Sequence, residues 1–563
     1  MPQLDQHSLA LMKKTTILKK QANSHTKSSN TYSGDWCEKS LRPMLESSEP
    51  GTSIVMETLS LYREIRHPFF QNDSVFCLTS TLQQLISEDY VLATMPMAIW
   101  VALVIYGTLS TNTMLSTLSL HRSYKELTTK RHSQLDVLDI FRVMAILWVI
   151  TNHTGSEGRV DVLDRLPSAD QFKAAVHNNP IFGTLLGNSA LGVEIFLVLS
   201  GLLGARTWLR RADQPFFAHY QAFVIRRVLR LMPSVVFFIY IVTGPLTKFF
   251  LPRFYLSMIS SCGISGIAAH LTFLGNWQST PTCLGYLWYL GLDMQLYIAA
   301  PFLLHVLYKR PLMGKITCAM LILISMFLRG AYCTLYDVCH KSDVDIPFIS
   351  FPGQDQEKSA GIYAGIWEMY ARPFTKCGPF ILGLLLGTAT TTMRPSLSRS
   401  TSRIITNTFF ALCLSVIYGI LPQYWYGKYF EWYNLFYTAS FRTIFGIGIC
   451  GMILAITSRQ ESKSTAVIWS VLARLTYNTY LLHMPVIYLF NYSRFLQQAS
   501  GATELMLILP FVAILSFSAS SVFYFFVEAP LGRITSEWVE KIDATLASCI
   551  GNLGCFLRNP LVQ

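Results

Sequence analysis

Apolar runs of about twenty residues recur along this chain from residue 91 onward, and the ionisable residues collect in the stretches between them. A helix rises about 1.5 Å per residue, so about 20 apolar residues cross the ~30 Å hydrocarbon core of a bilayer. The pattern predicts eleven spans, at 91–113, 138–155, 183–205, 231–251, 284–308, 316–336, 373–392, 404–424, 436–457, 471–493 and 503–527. Residues 258–276 are apolar as well, but their glycines and serines mark an interfacial or re-entrant piece. A true span there would reverse the side of every later loop. The opening 50 residues, rich in Ser, Thr, Lys and Gln, lack this pattern, and residues 1–90 are expected to form a largely disordered tail.

Composition agrees. The chain is 51% hydrophobic and 14% charged, against about 25% charged in ordinary soluble proteins. The expected fold class is an all-α polytopic membrane protein, a ten-helix core over 135–533 preceded by one extra transmembrane helix at 91–113 and followed by a tail at 534–563.

Every second loop is basic. Arg122, Lys125, Lys130 and Arg131 follow the segment ending near 113; Arg206, Arg210, Arg211, Arg226, Arg227 and Arg230 follow the one ending near 205. Lys309, Arg310 and Lys315, then Arg394, Arg399 and Arg403, then Arg459 and Lys463 follow those ending near 308, 392 and 457. The intervening 337–372 is acidic, with Asp337, Asp343, Asp345, Asp355, Glu357 and Glu368. The positive-inside tendency puts the basic loops and the carboxyl-terminal tail in the cytosol. The net charge of +12 thus orients the chain and requires no nucleic-acid partner. Parity sends the amino-terminal tail to the opposite side, in conflict with its Lys13, Lys14, Lys19, Lys20, Lys27, Lys39 and Arg42. Asn72 and Asn491 head glycosylation sequons that would share that side. The expected membrane is endoplasmic reticulum or plasma membrane, which the sequence does not separate.

Twelve cysteines sit in no metal spacing. Cys262 with Cys283 and Cys333 with Cys339 fall in or beside loops of the oxidising side, where disulfides can form. Cys318, Cys377, Cys413 and Cys450 fall within spans, as small core residues.

Arg142 and His153 share the apolar run LDIFRVMAILWVITNHTG. Eleven residues at about 100° each return within about 20° of the start, so both side chains lie on one helix face about 16 Å apart. An ionisable group inside a span costs roughly 3 kcal/mol or more, and such groups usually face a functional or water-filled interior. A snorkelling arginine and a packed histidine remain the alternative for this pair alone. Glu194, Asp293 with Gln295, Arg329, Lys376, Arg442, Arg474, Tyr477, Tyr480, His483 and Glu528 fall in other spans. Each, taken singly, reads better as part of a structural ion pair or hydrogen bond. Together they exceed what a structural bundle needs and point to a transporter or a catalytic chamber.

The order and spacing of these motifs resemble the acyltransferase-3 family of integral membrane O-acyltransferases. The resemblance rests on Arg142 and His153, on GVEIFLVLSGLL (Gly192–Leu203), RRVLRLMP (Arg226–Pro233), LWYLGLDMQLYIAAP (Leu287–Pro301), LTYNTYLLHMPV (Leu475–Val486) and FFVEAPLGRI (Phe525–Ile534). The stretch WEMYARPFTKCGPFILGLLLG (Trp367–Gly387) is similar to the animal nose-resistant-to-fluoxetine branch. The resemblance implies transfer of an acyl group from cytosolic acyl-CoA, a donor substrate rather than a bound cofactor, to a hydroxyl acceptor on the lumenal or extracellular side. The acceptor would be a lipid, glycan, small molecule or protein.

The residues suit that chemistry. A hydroxyl is a poor nucleophile until a base takes its proton, and a neutral histidine is suited to do so. His153, near the far end of its span, is the expected general base. Arg142 would hold the pantetheine-phosphate end of the donor or organise the acyl carbonyl, because arginine stays charged and grips phosphate bidentately. Arg226, Arg227 and Arg230 could bind the nucleotide phosphates of CoA, with positive-inside anchoring as the equal alternative. Tyr480 and His483 are candidates for the acceptor side, Asp293 for substrate binding, and Glu194 for orienting or pairing a cation. A transporter of lipids or hydrophobic small molecules would use the same polar interior, and a non-catalytic membrane regulator is the third reading.

Overall fold

The computed structural model describes residues 88–110, 115–129, 136–155, 190–260, 262–278, 283–339, 367–392, 396–420, 430–459, 466–490 and 502–538, with scattered positions between 179 and 188. The amino-terminal tail, with its Asn72 sequon, and Asn491 lie outside them. Among the described residues the chain is helical and no strand forms; Leu397 and Arg459 make one isolated bridge.

The long helices coincide with the apolar runs. They are α1 (Glu88–Leu109), α3 (Val137–Gly155), α4 (Leu191–Leu209), α5 (Phe216–Thr243), α9 (Trp288–Lys309), α10 (Pro311–Leu335), α11 (Pro373–Thr392), α12 (Arg399–Ile417), α13 (Glu431–Thr457), α14 (Val467–Phe490) and α15 (Ala502–Phe523). The short α2 (Leu120–Thr128), α6 (Pro245–Phe250), α7 (Pro252–Met258) and α8 (Ile264–Leu271) connect them. Seven helices among the described residues are long and apolar enough to cross a membrane by hydropathy. The other four long ones, α1, α5, α11 and α14, run 20 residues or more. This is a multi-pass, all-α membrane protein.

The fourth predicted span, 231–251, needs correction. Its helix begins at Phe216 and ends at Thr243, where Gly244 turns extended and Pro245, which lacks an N–H, opens a separate short helix. Residues 258–276 do not span: α8 has eight residues, about 12 Å. The return segment is instead fastened to α9. The Gln295 amide donates to the Phe273 carbonyl at 2.7 Å, and its oxygen accepts from Trp277 at 3.1 Å. The His270 ring bonds the Cys283 carbonyl at 2.7 Å. The expected disulfides, Cys262–Cys283 and Cys333–Cys339, are both formed. Cys318 and Cys413 are buried in helices, and Cys377 and Cys450 are half-buried there.

Helix α4 is the axis of the bundle: 78% of its apolar window is buried, against 17% for α10 and 22% for α12. The last two turn their apolar faces outward, as a lipid-facing helix must. Helix α4 packs on α3, α9, α11 and α13. Its contact with α11 is backbone on backbone. A β-carbon on Gly201 would lie 2.2 Å from the Phe380 carbonyl oxygen, and one on Gly383 would lie 2.2 Å from that of Val198. Gly383 and Gly387, one turn apart, form the small-residue face that lets membrane helices approach this closely.

Several of the intramembrane cations are structural. Arg329 donates to the carbonyls of Thr438 and Met369 at 3.1 and 2.9 Å. Arg474 donates to the carbonyls of Glu126, Leu127 and Thr129, satisfying the open carboxyl-terminal end of α2. Arg533 reaches the same segment through Ser119, Ser123 and Glu126.

Candidate active site

Helix α3 forms one wall of a cavity of about 660 Å³, whose other walls come from α4, α5, α9, α14 and the turn after α15. The lining runs the length of α3, from Asp136 and Asp139 through Arg142 and Val149 to His153. Fourteen helical residues separate Asp139 from His153, so the cavity extends about 21 Å along that axis. The shared face read from the sequence therefore fronts one continuous space.

The end near Arg142 is rich in charge. Arg142, Arg210, Arg227, Arg230 and Arg474 meet Asp136, Asp139, Asp293 and Glu528 there. Arg142 donates to Asp139, one turn back, at 2.9 Å. Arg227 is tied to Asp293 across the cavity, donates to the Ser200 hydroxyl at 3.1 Å, and has its guanidinium 4.0 Å from the centroid of the Tyr297 ring. Arg210 and Arg230 are exposed at the rim and make no ion pair among the described residues. Glu528 accepts from the Asn478 amide at 2.7 Å. It closes the π-helical turn Tyr524–Glu528, and such an inserted residue re-aims side chains at functional positions.

The other end is aromatic. Tyr286, Trp288, Tyr289, Tyr370 and Tyr480 line it around His153. The Tyr286 hydroxyl donates to the Leu481 carbonyl at 2.9 Å and the Tyr480 hydroxyl to the Tyr286 carbonyl at 2.7 Å, locking the loop before α9 onto α14. The His483 ring lies behind His153, with ring centroids 5.1 Å apart.

Glu194 is also behind the wall. Its carboxylate, wholly buried, accepts from Arg442 at 2.6 Å and is paired with Lys376, so one carboxylate serves two buried cations. The Tyr370 ring separates them from the cavity, lying 4.3 Å from Lys376 Nζ and 5.0 Å from the Arg442 guanidinium carbon.

A family model described as an acyltransferase domain, that of the acyltransferase-3 family, matches residues 135–525. The chain belongs to the acyltransferase-3 family. It is 53% identical over 503 residues to a Caenorhabditis elegans protein named regulator of hypoxia-inducible factor 1, covering 89% of this chain and 100% of that one. It is 24% identical over 453 residues to nose resistant to fluoxetine protein 6 of the same organism, covering 72% of this chain and 51% of that protein. No solved structure gives a significant match.

Of the residues singled out by the family motifs, Arg142, His153, Arg227, Arg230, Asp293 and Tyr480 line the cavity. Arg226 does not, Glu194 belongs to the buried ion cluster, and His483 sits one layer behind His153. Sequence reading missed Asp139, Arg210, Tyr286 and Tyr289. Asp139 was within reach, because a residue three before Arg142 on a helix is its neighbour. Tyr289 sits in the motif Leu287–Pro301, one turn before Asp293, and could have been read with it; Tyr286 carries no signal of its own and looks like an ordinary interfacial aromatic until the loop before α9 folds back.

Proposed function

We propose that this protein is a membrane acyltransferase that takes an acyl group from acyl-CoA at the arginine-rich end of the cavity and delivers it to a hydroxyl acceptor at His153. The observation that carries the reading is the single cavity joining two chemistries: exposed Arg210 and Arg230 at one end and His153 at the other. Guanidinium groups held by no carboxylate suit the phosphates of CoA. At the other end His153 takes the acceptor hydroxyl proton as the oxygen attacks the thioester carbonyl. The new C–O bond forms, the C–S bond breaks, and the leaving thiolate recovers that proton from the imidazolium. Asp293 serves to hold Arg227 in place, and Tyr480 serves the aromatic wall that the acceptor meets.

By the loop charges the arginine end faces the cytosol and the His153 end the lumen or exterior. The 53% identical relative bears the name of a hypoxia-inducible-factor regulator. An effect on hypoxia signalling would follow here as a consequence of the acylated product.

Purified protein in lipid vesicles, given radiolabelled acyl-CoA and candidate acceptors, tests the reading. Label moves to an acceptor or to water with wild type and not with His153→Ala or Arg142→Ala, both still inserted. Wild type that binds no acyl-CoA and releases no CoA across a range of chain lengths leaves the transporter or the regulator.

A further inference from the structure

Among the described residues, His483 is the histidine that the proposed reaction does not use directly and whose ring nonetheless lies against its base. It is wholly buried in α14, with 0% exposure. Its Nδ1 lies 2.8 Å from the Tyr480 carbonyl oxygen and 3.2 Å from that of Thr479. A carbonyl can only accept, so Nδ1 carries the ring proton, and in the neutral ring Nε2 is left with a lone pair. That Nε2 is buried and has no hydrogen-bond partner. Buried polar atoms are nearly always satisfied, and a bare one at a site calls for a reason. Nε2 is on the ring edge turned away from the α14 backbone. The rings beside His483 are Tyr286 and Tyr480, whose hydroxyls are already committed to the Leu481 and Tyr286 carbonyls, and His153. Imidazole centroids 5.1 Å apart are close enough that a His153 nitrogen turned to face Nε2 reaches it at about the 2.7–3.2 Å of a hydrogen bond, a bond that the present ring orientation does not make.

We propose that His483 is a positioning residue for His153: once the adjacent His153 ring turns to face it, the Nε2 lone pair accepts the N–H of His153 and so leaves the other His153 nitrogen unprotonated toward the cavity. This rests on the acyl-transfer reading above for its consequence, but not for the pairing itself. When the base takes the acceptor proton, the resulting imidazolium keeps its second N–H on His483 and gives the first back to the leaving thiolate. No proton passes to His483. An uncharged acceptor in this place fixes the tautomer without a buried carboxylate, the role that second-layer partners commonly play for histidines.

Two near-isosteric variants separate this from a packing role. His483→Asn keeps a donor at the position of Nδ1 and loses the acceptor at Nε2; His483→Gln places an amide oxygen near Nε2 and loses the bond to its own helix. Nitrogen-15 NMR of histidine-labelled protein in nanodiscs, with His153 assigned by difference from His153→Asn, reads the tautomer without needing turnover. The expected result is a single His153 tautomer in wild type and His483→Gln and a mixture in His483→Asn. In the transfer assay kcat falls about 10- to 100-fold in His483→Asn, with KM for acyl-CoA unchanged, and recovers in His483→Gln. If His153 shows the same tautomer mixture in all three proteins, or Asn restores what Gln does not, the pairing is wrong. If the tautomers behave as stated but wild type transfers no acyl group, the pairing stands and the acyltransferase reading falls.

Discussion

Glu194→Gln keeps the side-chain size and removes one charge, leaving Lys376 and Arg442 buried together without a counter-ion. Removing one partner of a buried ion pair costs about 3–5 kcal/mol, most of it the penalty of the charge left behind. Two effects act on that figure here. The remaining cations also repel each other, which raises the cost. The Tyr370 face within 4.3 and 5.0 Å of the two cations returns part of it, at about 1–2 kcal/mol for a desolvated contact. The lower end, about 3 kcal/mol, is the working figure. At about 2.1 cal/mol/K of unfolding entropy per residue across the 135–525 domain, this lowers the melting temperature on the order of 4 °C. Thermal unfolding in nanodiscs, followed by reaction of the buried helical cysteines with a fluorogenic thiol probe, measures it. Replacing all three together, Glu194→Leu with Lys376→Met and Arg442→Met, removes every charge of this cluster and should recover most of the loss. The reasoning is refuted if Glu194→Gln melts with wild type but loses acyl-CoA binding, since Glu194 would then touch substrate.

Three further outcomes follow from the geometry. Gly383→Val should abolish folded, inserted protein, because its first added carbon already falls 2.2 Å from the Val198 carbonyl, while Gly532→Ala, with nothing within 4 Å, expresses as wild type; fluorescence-detected size exclusion compares them. Arg227→Met leaves Asp293 buried without its cation and should weaken acyl-CoA binding at least tenfold with a smaller effect on stability than Glu194→Gln, read by scintillation proximity binding and melting. Burial holds the His270 imidazole below its ordinary 6.5, in opposition to its bond with the Cys283 carbonyl. A histidine whose folded pKa is depressed stays neutral when folded, so its contribution is present above 6.5 and lost as pH falls below it. Acidification from pH 7.5 to 5.5 should therefore lower the wild-type melting temperature more than that of His270→Gln.

The hydrophobic pattern by itself determined the helical class, the number of long helices among the described residues and the non-spanning nature of 258–276. Each depends on local length and polarity, and the bilayer allows a continuous apolar run almost no backbone choice but helix. The period of the helix likewise made one face of Arg142 and His153, and the motif order made the family legible. Where the chain broke, local chemistry misled: the apolar run 231–251 hides the Gly244–Pro245 break, while the charged stretch before it is helix from Phe216 onward and brings Arg227, Arg230 and Leu231 to the cavity. Tertiary structure alone decided which intramembrane charges belong to the site. Glu194 and Arg227 look alike in sequence, yet one is sealed behind Tyr370 with two cations and the other opens on the cavity. Likewise the His153–His483 contact joins residues from α3 and α14, and Tyr286 reaches the same place because the loop before α9 is held by Cys262–Cys283, by His270 and by its own bonds to α14. Pairings between distant segments depend on how helices cross, and that is fixed by close approaches such as Gly201 with Gly383, which no period along the chain records.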